Sequence, residues 1–396
     1  MTDDDIRPPR KSPLKALVWV QHLLGIGHVR RAALITRALA AAGLDVTVAS
    51  GGFPVAGVDH GAARVVRLPP ARSADKSFKR LVGDGGLPLD DAWRERRRAA
   101  LLDLADSVDP DILLLETYPF GRRQFRFELL PLLERPRRPR VVAASVRDIL
   151  VAKDDPAREV EMADVARRHL DLVLVHGDPA VVPFEATFPQ AHRIADLIRY
   201  TGYVAPARAP ARAPAHPAAQ AGGDGAGEVI VSVGGGAVGL PLLRTALAAR
   251  PLTPLASSPW RLLAGPDIGE ADFQALRDGA PRGVTVERAR PDFPELLARC
   301  TLSISQAGYN TLMDLMQARC RAVVVPFAAG NETEQTDRAR LFERRGLLHG
   351  VPEDGLTPER LADAVGRALA APPPTDFAPL MDGAAATARL LVEAAS

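Results

Sequence analysis

The apolar positions of this chain fall into short uninterrupted runs, separated by longer stretches with helical spacing. In the first half the runs are "ALVWV" (16–20), "DVTVAS" (45–50), "DILLLE" (111–116), "RVVAASV" (140–146) and "DLVLVHG" (171–177). Each predicts a strand, and "DILLLE", "RVVAASV" and "DLVLVHG" are of the type buried on both faces, as in a parallel sheet covered by helices. After the first run come a glycine turn and a predicted helix with Leu34, Ile35, Ala38, Leu39 and Ala42 on one face, stopped by Gly43. The second half repeats the scheme with "EVIVSV", "WRLLAG", "GVTVER", "TLSISQAG" and "RAVVVPF" as strands. "LPLLRTALAA", "PERLADAVGRALAA" and "GAAATARLLVEAA" read as helices. Alternating strands and helices predict an α/β fold in each half.

The halves meet at "APARAPARAPAHPAAQAGGDGAG" (205–227), which has no apolar period and ends in glycines, the pattern of a semi-stiff linker. The expected organisation is a domain over 12–204, the linker over 205–227 and a second domain over 228–396, with the last helix free to pack back on the first domain. Two doubly wound sheets place ligands at the carboxyl ends of their strands, and the expectation is a cleft there.

Composition narrows the class. The chain is 47% hydrophobic and 25% charged, the mix of a globular protein, and its net charge of +2 gives no footprint for nucleic acid. Cys300 and Cys320 form neither a disulfide framework nor a zinc spacing, and read as buried thiols of a reducing, cytoplasmic compartment. The polar start "MTDDDIRPPRKSP" lacks the grammar of a signal peptide, and no run is long enough to span a membrane.

Three turns carry candidate chemistry. "VSVGGGAVG" places Gly234, Gly236 and Gly239 in a literal G-x-G-x-x-G after a strand. Such a turn lets backbone approach a phosphate, yet the acidic residue a dinucleotide needs comes late, at Asp267, and a plain strand-to-helix turn explains the match as well. "SISQAGYNTLMDLMQARC" ends a strand, turns at Gly308 and opens a helix on which Asn310 and Asp314, four apart, share the side opposite Leu312, Leu315 and Met316. Asp314 is placed to cap the helix dipole or to accept both hydroxyls of a ribose. "VPFAAGNETEQ" crowds Glu332, Glu334 and Gln335 at a helix start, where they favour the dipole or bind sugar hydroxyls.

Together these segments resemble the MurG-type glycosyltransferases, the family 28 class with the GT-B fold, and within it a group of bacterial glycosyltransferases. The likeness is carried by "VGGGAVG", "SISQAGYNTLMDL" and "VPFAAGNETEQ" in the second half, and by "GIGHVRRAALITRALAAAGLDVTVAS" in the first. The resemblance implies two Rossmann-like domains facing across a cleft and a nucleotide-diphosphate sugar donor, usually a UDP-sugar, with no cofactor. By position the backbone near Arg290 faces the base, and Asp314 takes the ribose with Asn310 beside it. Gly235, Gly236 and Gly308 approach the diphosphate, Gly27 belongs to the turn opposite, and Glu334 or Gln335 holds the sugar. Three positions depart from the class: Asp314 stands for a glutamate, Gly236 for a serine, and Arg208 is out of register with an arginine before the hinge.

Transfer needs a stabilised leaving diphosphate and a deprotonated acceptor hydroxyl. Backbone N–H groups and helix N-termini can serve the first, and no aspartate-x-aspartate motif sits at a suitable strand end, so metal-independent transfer is expected. His28 can serve the second, steady a phosphate, or simply cap its helix. Asp148 and Glu116, also at strand ends, are the runner-up bases, while His176 reads as a satisfied loop histidine. Inverting stereochemistry follows from the resemblance alone. "GIGHVRR" also resembles the turn of a UDP-sugar hydrolase of pseudaminic acid synthesis, so a hydrolase, a 2-epimerase and a non-catalytic nucleotide-sugar-binding protein stay open. The arginine-rich stretch 121–140 reads as a solvated helix face, or as a contact for an acidic acceptor or an anionic membrane at which the protein is peripheral. Acceptor contacts are expected from loops around 70–98 and 116–128.

Overall fold

The computed structural model describes residues 12–23, 27–74, 80–150, 155–205, 223–233, 239–327, 334–374 and 380–396. They form two compact units, residues 1–206 with 380–396 and residues 207–379. The second unit thus ends before the final helix rather than running to 396, because that helix packs within the first. Gly235, Gly236, Glu332 and most of the proposed linker lie outside the described residues.

Unit 1 holds strands β1 (Lys15–Val20), β2 (Asp45–Ser50), β3 (Arg64–Arg67), the short pair β4 (Arg72–Ser73) and β5 (Leu81–Val82), then β6 (Ile112–Glu116), β7 (Val141–Arg147), β8 (Leu172–His176) and β9 (Ile198–Tyr200). Its helices are α1 (Gly27–Ala41), α2 (Asp91–Val108), α3 (Arg126–Leu133) and α4 (Pro156–His169), closed by the final Gly383–Ala395. Seven strands make one parallel sheet in the order β3-β2-β1-β6-β7-β8-β9. The order reverses between β1 and β6, and their carboxyl ends open the crevice where such sheets hold ligands.

Unit 2 holds β10 (Val229–Ser232), β11 (Trp260–Ala264), β12 (Val284–Arg288), β13 (Leu302–Gln306), β14 (Ala322–Val325) and β15 (His349–Gly350). Its helices are α5 (Leu240–Ala249), α6 (Glu270–Asp278), α7 (Phe293–Leu297), α8 (Tyr309–Ala318), α9 (Glu334–Arg344) and α10 (Pro358–Ala370), which makes the final helix α11. The six strands are parallel in the order β12-β11-β10-β13-β14-β15, and the reversal falls between β10 and β13.

Two helical readings need correction. The buried stripe of α1 is Val29, Arg31, Ala32, Ala33, Ile35, Thr36 and Leu39, while Ala42 is exposed beyond the helix end. The stripe is rotated because α11 packs on α1 and adds Ala388, Leu391 and Ala395 to the same core. Residues 91–98, expected in an acceptor loop, begin α2, capped by Asp90 accepting from the Trp93 N–H.

That helix carries a charge into the core. Trp93, Arg97, Leu101, Leu104 and Ala105 share its buried face, and Arg97 is fully buried. The guanidinium donates from Nε to Glu128 Oε2 at 2.7 Å, and also to Gln21 Oε1 and the carbonyls of Gly51 and Pro69. Trp19 donates to the same Glu128, so the pair is buried with its hydrogen bonds made. Arg97→Ala would leave a buried carboxylate without its counter-charge. It is expected to lower unfolding free energy by about 3–5 kcal/mol, read by urea titration, with apolar replacement of both partners restoring much of the loss.

Candidate active site

His28 is the second residue of α1, and Glu116 is the last residue of β6. The two therefore flank the reversal of the first sheet, although 88 residues separate them in sequence. His28 Nδ1 lies 2.7 Å from Glu116 Oε1, and Arg31, one turn along α1, donates to the same oxygen at 2.5 Å. Thr117 Oγ1 donates to it as well, at 2.8 Å. To do so Thr117 adopts φ 69°, a left-handed conformation strained for a β-branched residue. Gly121 makes room for it: a Cβ there would lie 2.6 Å from Thr117 Cγ2.

Glu116 is only 1% exposed. Burial pushes its carboxyl upward, but His28, Arg31 and Arg122 together outweigh this and hold it well below the usual carboxylate range. Burial likewise lowers His28, and Arg147 and Arg122 act the same way; the opposing pull of Glu116 leaves the imidazole at about 4. At neutral pH the pair is therefore a neutral histidine beside an ionised glutamate. A carboxylate at hydrogen-bond distance fixes the imidazole proton on Nδ1, so Nε2 carries the lone pair. The His28 side chain keeps 23% of its exposure. The glycine before it matters too, since a Cβ on Gly27 would stand 3.0 Å from the Arg147 guanidinium.

Glu116, the runner-up base, is buried, and its Oε1 takes three hydrogen bonds, one of them with His28 Nδ1. Asp148 is fully buried and its Oδ1 accepts the Ile149 N–H at 2.9 Å, so it has no surface to offer a substrate. His176, also buried, is satisfied on both nitrogens, by Ser145 Oγ at 2.7 Å and Thr201 Oγ1 at 2.8 Å. Burial holds it well below its usual value, neutral at physiological pH.

In unit 2 the site residues gather around the start of α8. Gly308 is its N-cap residue, and a Cβ built there meets nothing nearer than 3.9 Å, so packing alone does not require glycine. Asn310 is exposed and Asp314 half-buried, on the side away from the buried Leu312, Leu315 and Met316. Burial, helped by the like charge of Glu295, pushes the Asp314 carboxyl up to about 6. An ionised Asp314 is a strong acceptor for hydroxyl donors and a protonated one a weaker acceptor, so affinity for a hydroxyl-bearing ligand held there is expected to fall as pH drops through about 6. For stability the sign is opposite. The raised value means that stability is lost as pH rises from the ordinary carboxyl value of 3.8 to about 6, so Asp314→Asn is expected to raise the melting temperature at pH 8, with the gain vanishing as pH falls below 3.8.

Glu334 and Gln335 open α9 and are engaged in holding it. Glu334 Oε1 accepts from Arg338 Nη1 at 2.7 Å, and the Arg338 guanidinium lies 5.1 Å from the centre of the Tyr309 ring. Gln335 Oε1 accepts the Phe327 N–H at 3.1 Å, leaving its amide NH2 to donate. The starts of α8 and α9 are thus joined. Arg290 lies past the end of β12, its guanidinium held by Asp224, Glu287 and Asp292. The residues missed from sequence are Arg31, Thr117, Arg122 and Arg147. Arg31 had a readable signal, one helical turn from His28 on the face that must turn inward.

Each unit is a doubly wound, Rossmann-like parallel α/β domain, and the solved glycosyltransferases that the chain resembles share this GT-B fold. Residues 230–388 match the Glycosyltransferase family 28 C-terminal domain. A UDP-N-acetylglucosamine–N-acetylmuramyl-(pentapeptide) pyrophosphoryl-undecaprenol N-acetylglucosamine transferase of Rhodospirillum centenum is 38% identical over 120 residues, 30% of each chain. The protein of the same description from Geobacillus kaustophilus is 27% identical over 188 residues, 46% of this chain and 50% of its own length. The chain thus spans a third to a half of the length of these curated relatives. Among solved structures, MurG of Acinetobacter baumannii shares the fold with a TM-score of 0.58 at 16% identity, over 96% of this chain and 95% of that one. No described helix is long and apolar enough to cross a membrane.

Proposed function

We propose that the protein is a glycosyltransferase that moves a sugar from a UDP-sugar to a hydroxyl acceptor without a metal ion and with inversion. Unit 2 holds the nucleotide and unit 1 activates the acceptor. The observation that carries this reading is the His28–Glu116 pair. A neutral imidazole with its proton fixed on Nδ1 and its lone pair on Nε2, in a side chain that is not fully buried, is a general base ready to take a hydroxyl proton. Glu116 stabilises the imidazolium as it forms, and Arg31 keeps the carboxylate ionised. On the donor side, Asp314 accepts from the ribose, the turn at Gly308 brings backbone N–H groups to the diphosphate, and the Gln335 amide donates to the sugar. The names of the relatives support the donor class.

Two measurements test it. A thermal-shift screen across UDP, GDP, dTDP and ADP is expected to give the largest stabilisation with UDP. A preference for dTDP, which lacks one ribose hydroxyl, contradicts the role of Asp314. Turnover of a UDP-sugar is expected to continue unchanged after exhaustive treatment with EDTA, and loss restored by Mg²⁺ or Mn²⁺ contradicts the metal-free reading. The same base would activate water as readily as an acceptor hydroxyl. Rapid release of free sugar without acceptor would therefore identify a hydrolase, and NMR of the first-formed sugar product reads the stereochemistry.

A further inference from the structure

The chain has two cysteines, 20 positions apart in sequence, and the fold brings them together. Cys300 follows α7 and Cys320 follows α8, and each stands just before the next strand, β13 or β14. Those strands are parallel neighbours, with Ser303 beside Ala322 and the Ser303 N–H donating to the Arg321 carbonyl at 2.9 Å. Carried two residues back, this register sets Cys320 opposite Thr301 and one position from Cys300. At ordinary strand spacing the two Cα atoms then lie about 6 Å apart, within the span that a disulfide bridges. The thiols themselves meet, with the Cys320 S–H hydrogen-bonded to the Cys300 sulfur. Cys300 Sγ in turn donates to the Leu297 carbonyl at 3.2 Å, at the end of α7.

The surroundings of the two sulfurs differ. Of the two thiols read as buried from the sequence, only Cys320 is; Cys300 is half-buried, so an oxidant in solution reaches it first. The Cys320 thiol is pushed well above its usual value, first by its hydrogen bond with Cys300 and then by burial, and it keeps its proton. The pair is therefore one reachable sulfur with a second thiol held against it. A sulfur with such a neighbour passes to a disulfide before it passes to an irreversible acid.

We infer that Cys300 and Cys320 form a redox-active dithiol that a hydroperoxide converts to a reversible intramolecular disulfide. The hydroperoxide transfers one oxygen to the Cys300 thiol, which becomes a sulfenic acid, and leaves as water or an alcohol. The Cys320 sulfur then attacks the sulfenic sulfur. The S–S bond forms, and the hydroxyl departs with the Cys320 proton as water. Two thiols lose two electrons, which the peroxide O–O bond accepts, and a thiol reductant reverses the step by exchange. The bridge closes a ring around residues 301–319, which include Gly308, Asn310 and Asp314, and ties the end of α7 to the end of α8. α7 also carries Glu295, whose charge acts on Asp314. On the nucleotide-binding role proposed above, the ring frames the donor turn, but formation of the bridge does not depend on that role.

The test treats the full chain under native conditions with a small excess of hydrogen peroxide, removes the remainder with catalase, and counts free thiols after unfolding. Both thiols are expected to disappear together, with a chain mass lower by two hydrogens and one pair of peptides joined through Cys300 and Cys320. Dithiothreitol is expected to restore both. In Cys300→Ser, a change at a half-buried position that should leave the fold intact, Cys320 is expected to lose its thiol about tenfold more slowly or less, having lost its reachable partner. Thiols that survive the treatment overturn the proposal, as does a sulfinic acid at Cys300 beside a free Cys320, or a bridge between two chains. Loss of the Cys320 thiol at the parent rate in Cys300→Ser overturns it as well. None of these measurements uses UDP or turnover, so failure of the bridge and failure of the transfer reaction are seen separately.

Discussion

Replacing His28 with alanine is expected to lower turnover of the UDP-sugar by about 10²–10⁴-fold, the range contributed by a positioned general base. UDP affinity should stay within about twofold, because nucleotide recognition is assigned to residues of the other unit. The variant should fold, since His28 is partly exposed and Arg31 still closes on Glu116. The acid side of the profile gives a second signature. With saturating donor, kcat should hold as pH falls past the usual histidine value and decline only toward about 4, where burial has set the imidazole. The decline in UDP affinity below about 6 belongs to Asp314 and should persist unchanged in the His28 variant. A kcat profile breaking at 6.5 would mean that His28 is not the titrating base.

The second large effect belongs to Glu116. Glu116→Gln keeps the shape of the side chain but removes the charge shared by His28, Arg31 and Thr117. An amide can present its NH2 to Nδ1 and turn the imidazole to the wrong tautomer, so kcat should fall by about 10²-fold or more. Removing one partner of a buried ion pair is also expected to cost about 3–5 kcal/mol of stability. Loss of the carboxylate lowers the His28 value further, because Glu116 is the group that raises it. Glu116→Asp should recover part of both losses, as it restores the charge one methylene short of its partners.

Much of this architecture is legible in the sequence. "ALVWV" and "DILLLE" are too continuously apolar for half-exposed strands, and they became β1 and β6 of a parallel sheet. The start of α8 at Tyr309 and the span of α5 were readable because a strand, a glycine and an apolar period occur in sequence. What stayed hidden is long-range pairing of charge. Glu116 looked like a rival to His28 because nothing in the local sequence reveals that two residues 88 apart share a hydrogen bond. Arg97 is one of four arginines in "RERRR" (94–98), and only the packing of α2 shows that it alone takes the position of a core residue. The face of α1 was misjudged for a related reason, since the helix that covers it arrives more than 340 residues later.

The account rests on a division of labour, with the nucleotide on unit 2 and the base on unit 1. Calorimetric titration of UDP into the parent chain, His28→Ala and Asp314→Ala tests this division without any knowledge of the acceptor. The expected result is an affinity kept in His28→Ala and reduced about 10- to 100-fold in Asp314→Ala, the loss of charge-assisted hydrogen bonds to ribose. The reverse pattern, affinity lost with His28 and kept without Asp314, would contradict the account.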